Sequence, residues 1–170
     1  MSIRELLETE TNEDFDRTRR TLERVPAASL GWAPHPRSMT LGRLATHLAE
    51  LPANGLRFLR TTEFDVAPAP GSPPRVPKSL GSPAEIQELF GANRAAFAEA
   101  LAEASDDDLK ATFTLRAGGH VLVRKPKAEA LRVLLVQHTC HHRGQLSVYL
   151  RLLDVPLPAL FGPSGDERPA

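Results

Sequence analysis

Cysteine is almost missing from this chain of 170 residues. Cys140 stands alone, so no internal disulfide can form, as suits a reducing compartment. Net charge is missing too: 21 Lys and Arg balance 21 Asp and Glu. That balance argues against broad electrostatic binding to nucleic acid or to an anionic membrane. No apolar run approaches the roughly 20 residues that span a bilayer. The opening Met1-Ser2-Ile3-Arg4-Glu5 begins an amphipathic pattern rather than a signal peptide. There is no P-loop, no Gly-x-Gly-x-x-Gly, no Cys-x-x-Cys and no Gly-x-Ser-x-Gly. What is present is a hydrophobic fraction of 41%, enough for a core, in a length suited to one domain spanning residues 1–170. Together these features lead us to expect a soluble, cytoplasmic protein.

Helical periodicity dominates. Ile3, Leu6, Leu7, Phe15, Leu22 and Val25 mark a first helix over residues 2–25, with Ser2 and Glu5 at capping-box spacing and Pro26 as the stop. A loop rich in proline follows, and its Trp32 is expected to plug one end of the core. Ser38 or Thr40 caps a second helix, whose inner stripe is Leu41, Leu44, His47, Leu48 and Leu51; Pro52 ends or kinks it, and Leu56 and Leu59 suggest another turn or two. Residues 66–83 hold six prolines and two glycines, an extended crossover long enough to traverse a bundle. Ser82-Pro83 opens a third helix. Asp106-Asp107-Asp108 reads as a solvated turn that caps a short segment, since three consecutive carboxylates cannot face one ion. Residues 112–123 change period around Gly118-Gly119, the pattern of a β-hairpin. Lys125-Pro126 opens the last helix, and residues 156–170 form an irregular tail. The expectation is an all-α four-helix bundle with one long crossover and a small β-hairpin before the last helix.

The chemistry concentrates in His138-Thr139-Cys140-His141-His142-Arg143-Gly144-Gln145. Residues at i and i+4 share a helix face, so His138 and His142 can reach one transition-metal ion. Both continue the apolar stripe of Leu131, Leu134 and Leu135, and His47 lies independently on the stripe of the second helix. Taken singly, each fits a hydrogen-bonded core histidine; together they favour a metal. His141 lies about 60° from His138 on a 100°-per-residue wheel, in reach of the site or of solvent. Gln145 returns to the face of His138, where it can position a ligand or water, or bond to another helix. Glu50 is an acceptor for His47 or part of a solvated face. His35 and His120 read as exposed. Cys140 is expected to be a small buried hydrophobe on another face. Thr139 occupies the place where a His-Glu-x-x-His protease needs its glutamate, which argues against that chemistry.

These residues resemble a known family. Trp32-Ala33-Pro34 with Ser38-Met39-Thr40-Leu41-Gly42-Arg43-Leu44-Ala45-Thr46-His47-Leu48-Ala49-Glu50 is similar to the first signature of the DinB-like family. The stretch from His138 through Leu146 is similar to its second, and Val155-Pro156-Leu157-Pro158 with Phe161-Gly162-Pro163-Ser164-Gly165-Asp166-Glu167 to its ending. The resemblance implies an up-down-down-up bundle and a divalent metal, zinc or nickel, held by His47, His138 and His142. It also implies frequent dimers, hence an expected homodimer, and relatives that are thiol-dependent transferases using a low-molecular-weight thiol. Three histidines leave coordination positions open for water or substrate, the pattern of a catalytic site. A metal-dependent transferase or hydrolase acting on a small molecule is therefore expected, with Gln145, Glu50 and His141 as supporting residues. A non-catalytic metal-binding or stress-associated module is the alternative. Neither a nucleic-acid nor a membrane partner is expected.

Overall fold

The computed structural model describes residues 1–67, 71 and 76–168. It is mostly helical, with one small three-stranded sheet. Helix α1 (Ile3–Leu22) begins where expected, and the capping box forms between Ser2 and Glu5. Thr40, of the two candidate caps, accepts from the Arg43 N–H and starts α2 (Leu41–Arg60). Pro52 does not end α2, which runs through it for two further turns. Burial outweighs the lost backbone bond: Pro52 lies in a stretch flanked by the fully buried Leu48 and Leu51. Ser82 caps α3 (Pro83–Glu103), with proline in the first turn.

The acidic run forms α4 (Asp106–Lys110), and its carboxylates divide the work. Asp108 closes a capping box with Ser105, and Asp106 accepts from the backbone N–H groups of Ile3 and Arg4 at 3.3 and 3.2 Å. The carboxylate of Asp106 therefore satisfies free N–H donors at the start of α1.

The sheet differs from expectation. The hairpin is present as β1 (Thr112–Ala117) and β2 (His120–Pro126), with Gly118 at φ 60° in the turn. A third strand, β3 (Glu63–Asp65), pairs in parallel with β1 through Phe64 opposite Leu115. Because β2 extends to Pro126, the last helical run opens at Lys127 rather than at Lys125. It comprises α5 (Lys127–Leu131), a π-helical segment (Arg132–Gln137) and α6 (His138–Leu152).

Helices α1, α2, α3 and the α5–α6 run share one apolar core. Phe15 of α1 meets Phe90 and Phe97 of α3 edge-on, with centroids 5.9 and 5.7 Å apart. Gly55 of α2 permits the closest approach. A Cβ there would lie 2.6 Å from Leu135 Cδ2 and 2.9 Å from Phe97 Cε2. Trp32 is half-buried and meets Tyr149 edge-on at 5.7 Å.

Part of the expected crossover over residues 66–83 lies outside the described residues. Its far end is tied to α2, where Leu80 N–H donates to Thr46 Oγ1 at 3.0 Å and Arg43 Nη1 donates to the Lys78 carbonyl at 2.8 Å. The tail has no helix or strand as far as residue 168. Two carboxylates pin it: Glu167 to Arg20 and Arg24, Asp166 to Arg151 and the Leu157 N–H. Among the described residues no helix is long and apolar enough to cross a membrane.

Candidate metal centre

Two packed helices bring the three histidines together. His47 projects from the second turn of α2, while His138 and His142 stand one turn apart at the start of α6. His138 Nε2 lies 2.8 Å from His142 Nε2 and 3.4 Å from His47 Nε2. The three ligand atoms fall within 4.8 Å of one another, a grouping that could hold one metal ion. The edge of a tetrahedron with arms of 2.0–2.1 Å is about 3.3 Å, close to the longer of these separations.

The donor chemistry fits a cation. Gln145 Oε1 lies 2.7 Å from His142 Nδ1, an arrangement that places the ring proton on Nδ1. The lone pair of His142 Nε2 then points at His138. Across 2.8 Å that lone pair needs either an N–H on His138 Nε2 or a metal ion between the rings.

A second proton, which would charge a ring, is disfavoured. Burial, reinforced by the neighbouring His142 and His138 and by Arg43, lowers the pKa of His47 to about 4. Burial lowers His138 and His142 as well, opposed by the Leu134 backbone and the Gln145 side chain respectively. The rings are therefore neutral at pH 7, the protonation state that binds metal.

The supporting candidates separate. Gln145 meets the site directly. Glu50 sits 3.7 Å from His47 Nδ1, beyond hydrogen-bond length, and receives Arg43 Nη2 at 2.7 Å. His141 is exposed and outside the cluster, although its ring centroid is 4.9 Å from that of His142. His35 and His120 are exposed, as expected. Cys140 is a correction: it is exposed, not buried. The helix has one buried side, and a residue about 200° round from His138 faces solvent.

Sequence reasoning missed the π turn and the buried pair behind the site. The π segment widens the helix, so that Leu131, Leu135 and Thr139 fall in line as the fully buried positions, while Leu134 turns partly outward. It also missed Arg143, 3% exposed, which donates to the carboxylate of Asp14, to the Asp14 carbonyl at 3.0 Å and to Thr18 Oγ1 at 2.9 Å. A signal existed, since Thr11, Asp14 and Thr18 interrupt the apolar stripe of α1 at helical spacing. Burial raises the Asp14 pKa, against the pull of Arg143.

The model of the DinB superfamily matches residues 10–146 of this sequence. The chain belongs to the DinB superfamily. Its resemblance extends to the uncharacterised protein YrdA of Bacillus subtilis strain 168, 29% identical over 154 residues, which are 91% of this chain and 85% of that protein. Among solved structures, a DinB-like protein of Bacillus cereus ATCC 10987 superposes with a TM-score of 0.66 at 24% identity, over 90% of this chain and 94% of the other. The DinB-like protein YjoA of Bacillus subtilis gives 0.65 at 16% identity, over 90% and 96%. At these identities the two structures establish a shared DinB-like fold.

Proposed function

We propose that His47, His138 and His142 hold one divalent transition metal, zinc or nickel, and that this DinB protein is a metal-dependent enzyme of the thiol-dependent transferase or hydrolase type. The observation that carries the proposal is the convergence of three neutral Nε2 atoms, one of them fixed by Gln145. A metal with three imidazole ligands supplies Lewis acidity, which lowers the pKa of a thiol or water that reaches it. The chain's own residues do the rest. Gln145 holds the His142 proton on Nδ1, and Arg43 holds the Glu50 carboxylate beside His47 Nδ1. In this reading the chain is one up-down-down-up bundle, a cytoplasmic homodimer that takes a small-molecule substrate and a low-molecular-weight thiol.

A second reading, a non-catalytic metal-binding module, draws on the burial of His142, only 8% exposed. Elemental analysis of the untagged protein tests the centre: about one equivalent of zinc or nickel is expected, lost in His47→Ala and His138→Ala variants that still fold. No metal after reconstitution would make the three histidines polar core residues. A rise in melting temperature with bacterial thiols favours the enzyme; no rise with any thiol favours the module.

A further inference from the structure

The cleft beside His47 has a floor with a single period. Arg43, His47, Glu50, Asn54 and Arg57 recur at i, i+4, i+7, i+11 and i+14 on one face of α2, and all five line a cavity of about 690 Å³. Leu89 and Asn93 of α3 face them, and Val76 and Pro77 line the same cavity. Small-molecule sites span roughly 300–1,000 Å³, so the space suits a ligand larger than a water cluster.

The charges along this floor are not equally committed. Arg43 binds the Glu50 carboxylate and the Lys78 carbonyl. Among the described residues, Arg57 meets only neutral groups: Nη1 donates to Asn54 Oδ1 at 3.2 Å, and the guanidinium lies 4.5 Å over the Phe64 ring. Those contacts hold the fork still without neutralising it, so an incoming anion would immobilise little that is free. Ten residues of helix separate Arg57 from His47, about 15 Å along the axis. Ala53 and Leu89 line the cavity with apolar surface between the two polar ends.

We infer that this cleft takes a small organic anion, whose carboxylate pairs with Arg57 while an apolar stem runs along α2 towards His47. The inference rests on the proposed metal centre, which would act on the end of the molecule remote from the carboxylate.

The test titrates zinc-loaded protein with octanoate and with octan-1-ol, followed by calorimetry, with zinc content measured alongside. Octanoate is expected to bind about tenfold more tightly, the scale of one charge-assisted pair. That preference should collapse in Arg57→Gln and return in Arg57→Lys, with zinc content unchanged in both. Equal binding of the two probes by the zinc-loaded parent overturns the inference and leaves the metal centre standing. So does an octanoate preference that survives Arg57→Gln, since the carboxylate would then be coordinating zinc. A parent that takes up no zinc overturns the metal reading, and the inference falls with it.

Discussion

Gln145 accepts from the Nδ1 of His142 at 2.7 Å, one turn along the same helix. That contact fixes which nitrogen of the ring faces His138 and His47. Removing it should loosen the centre without unfolding the protein, because Gln145 is only partly buried. Gln145→Leu is expected to weaken zinc affinity about tenfold, the lower end for loss of a partner to a metal-ligating histidine. Competition with a chromophoric chelator measures it, and an unchanged affinity would show that the ring needs no such partner.

The pair of Asp14 and Arg143 makes a sharper demand on stability. Both are buried, 5% and 3% exposed, and among the described residues Asp14 Oδ2 and Arg143 Nη2 have no hydrogen-bond partner. Asp14→Ala strands a buried guanidinium and should cost about 3–5 kcal/mol. Replacing both residues by apolar ones, Asp14→Leu with Arg143→Met, should cost less than the single change. Urea unfolding of the parent and the two variants decides the order; a double variant worse than the single would mean the pair itself stabilises the fold.

Gly55 and Gly91 should respond to alanine with opposite signs. At Gly55 the new methyl meets Leu135 and the Phe97 ring at under 3 Å, and overpacking of about 1–3 kcal/mol exceeds a helix-propensity gain of about 1. At Gly91, inside α3, nothing among the described residues lies within 4 Å of the added Cβ, so about 0.5–1 kcal/mol of stabilisation is expected. Thermal unfolding of the two variants checks the contrast. A stabilised Gly55→Ala would mean that Leu135 yields easily.

Acid should unfold the metal-free protein through its histidines. The unfolded His47 takes up a proton near 6.5, the ordinary histidine value, whereas the folded one resists until about 4, chiefly because it is buried. Between those values the unfolded chain binds more protons, so this contribution is present above pH 6.5 and is lost as the pH falls towards 4. His138 and His142 are shifted in the same direction. The urea midpoint of chelated protein should therefore decline over that window more steeply than that of His47→Gln. Parallel profiles would show that His47 titrates as it does in water.

Much of the site was legible because a helix converts spacing into direction. The i, i+4 interval of His138 and His142, and the place of His47 among Leu44, Leu48 and Leu51, assign all three to inner faces without reference to any partner. The same local logic placed the caps at Ser2 and Ser82 and the turn at Gly118-Gly119, since each depends on a few neighbouring residues. Glu50 and Gln145 were also near enough in sequence to be candidates. What separated them was geometry, with 2.7 Å from Gln145 to His142 against 3.7 Å from Glu50 to His47.

The sequence by itself determined where helices begin, which faces turn inward and which histidines share a face, because backbone geometry and water act on neighbours along the chain. Tertiary structure alone decided that β3 joins the hairpin in parallel, that the helix before His138 widens into a π turn, and that Arg143 finds Asp14. Each joins parts of the chain far apart in sequence, or answers packing that no local window contains. Periodicity could aim two imidazole faces at the interior; only the packing of α2 against α6 brought their nitrogens within reach of one ion.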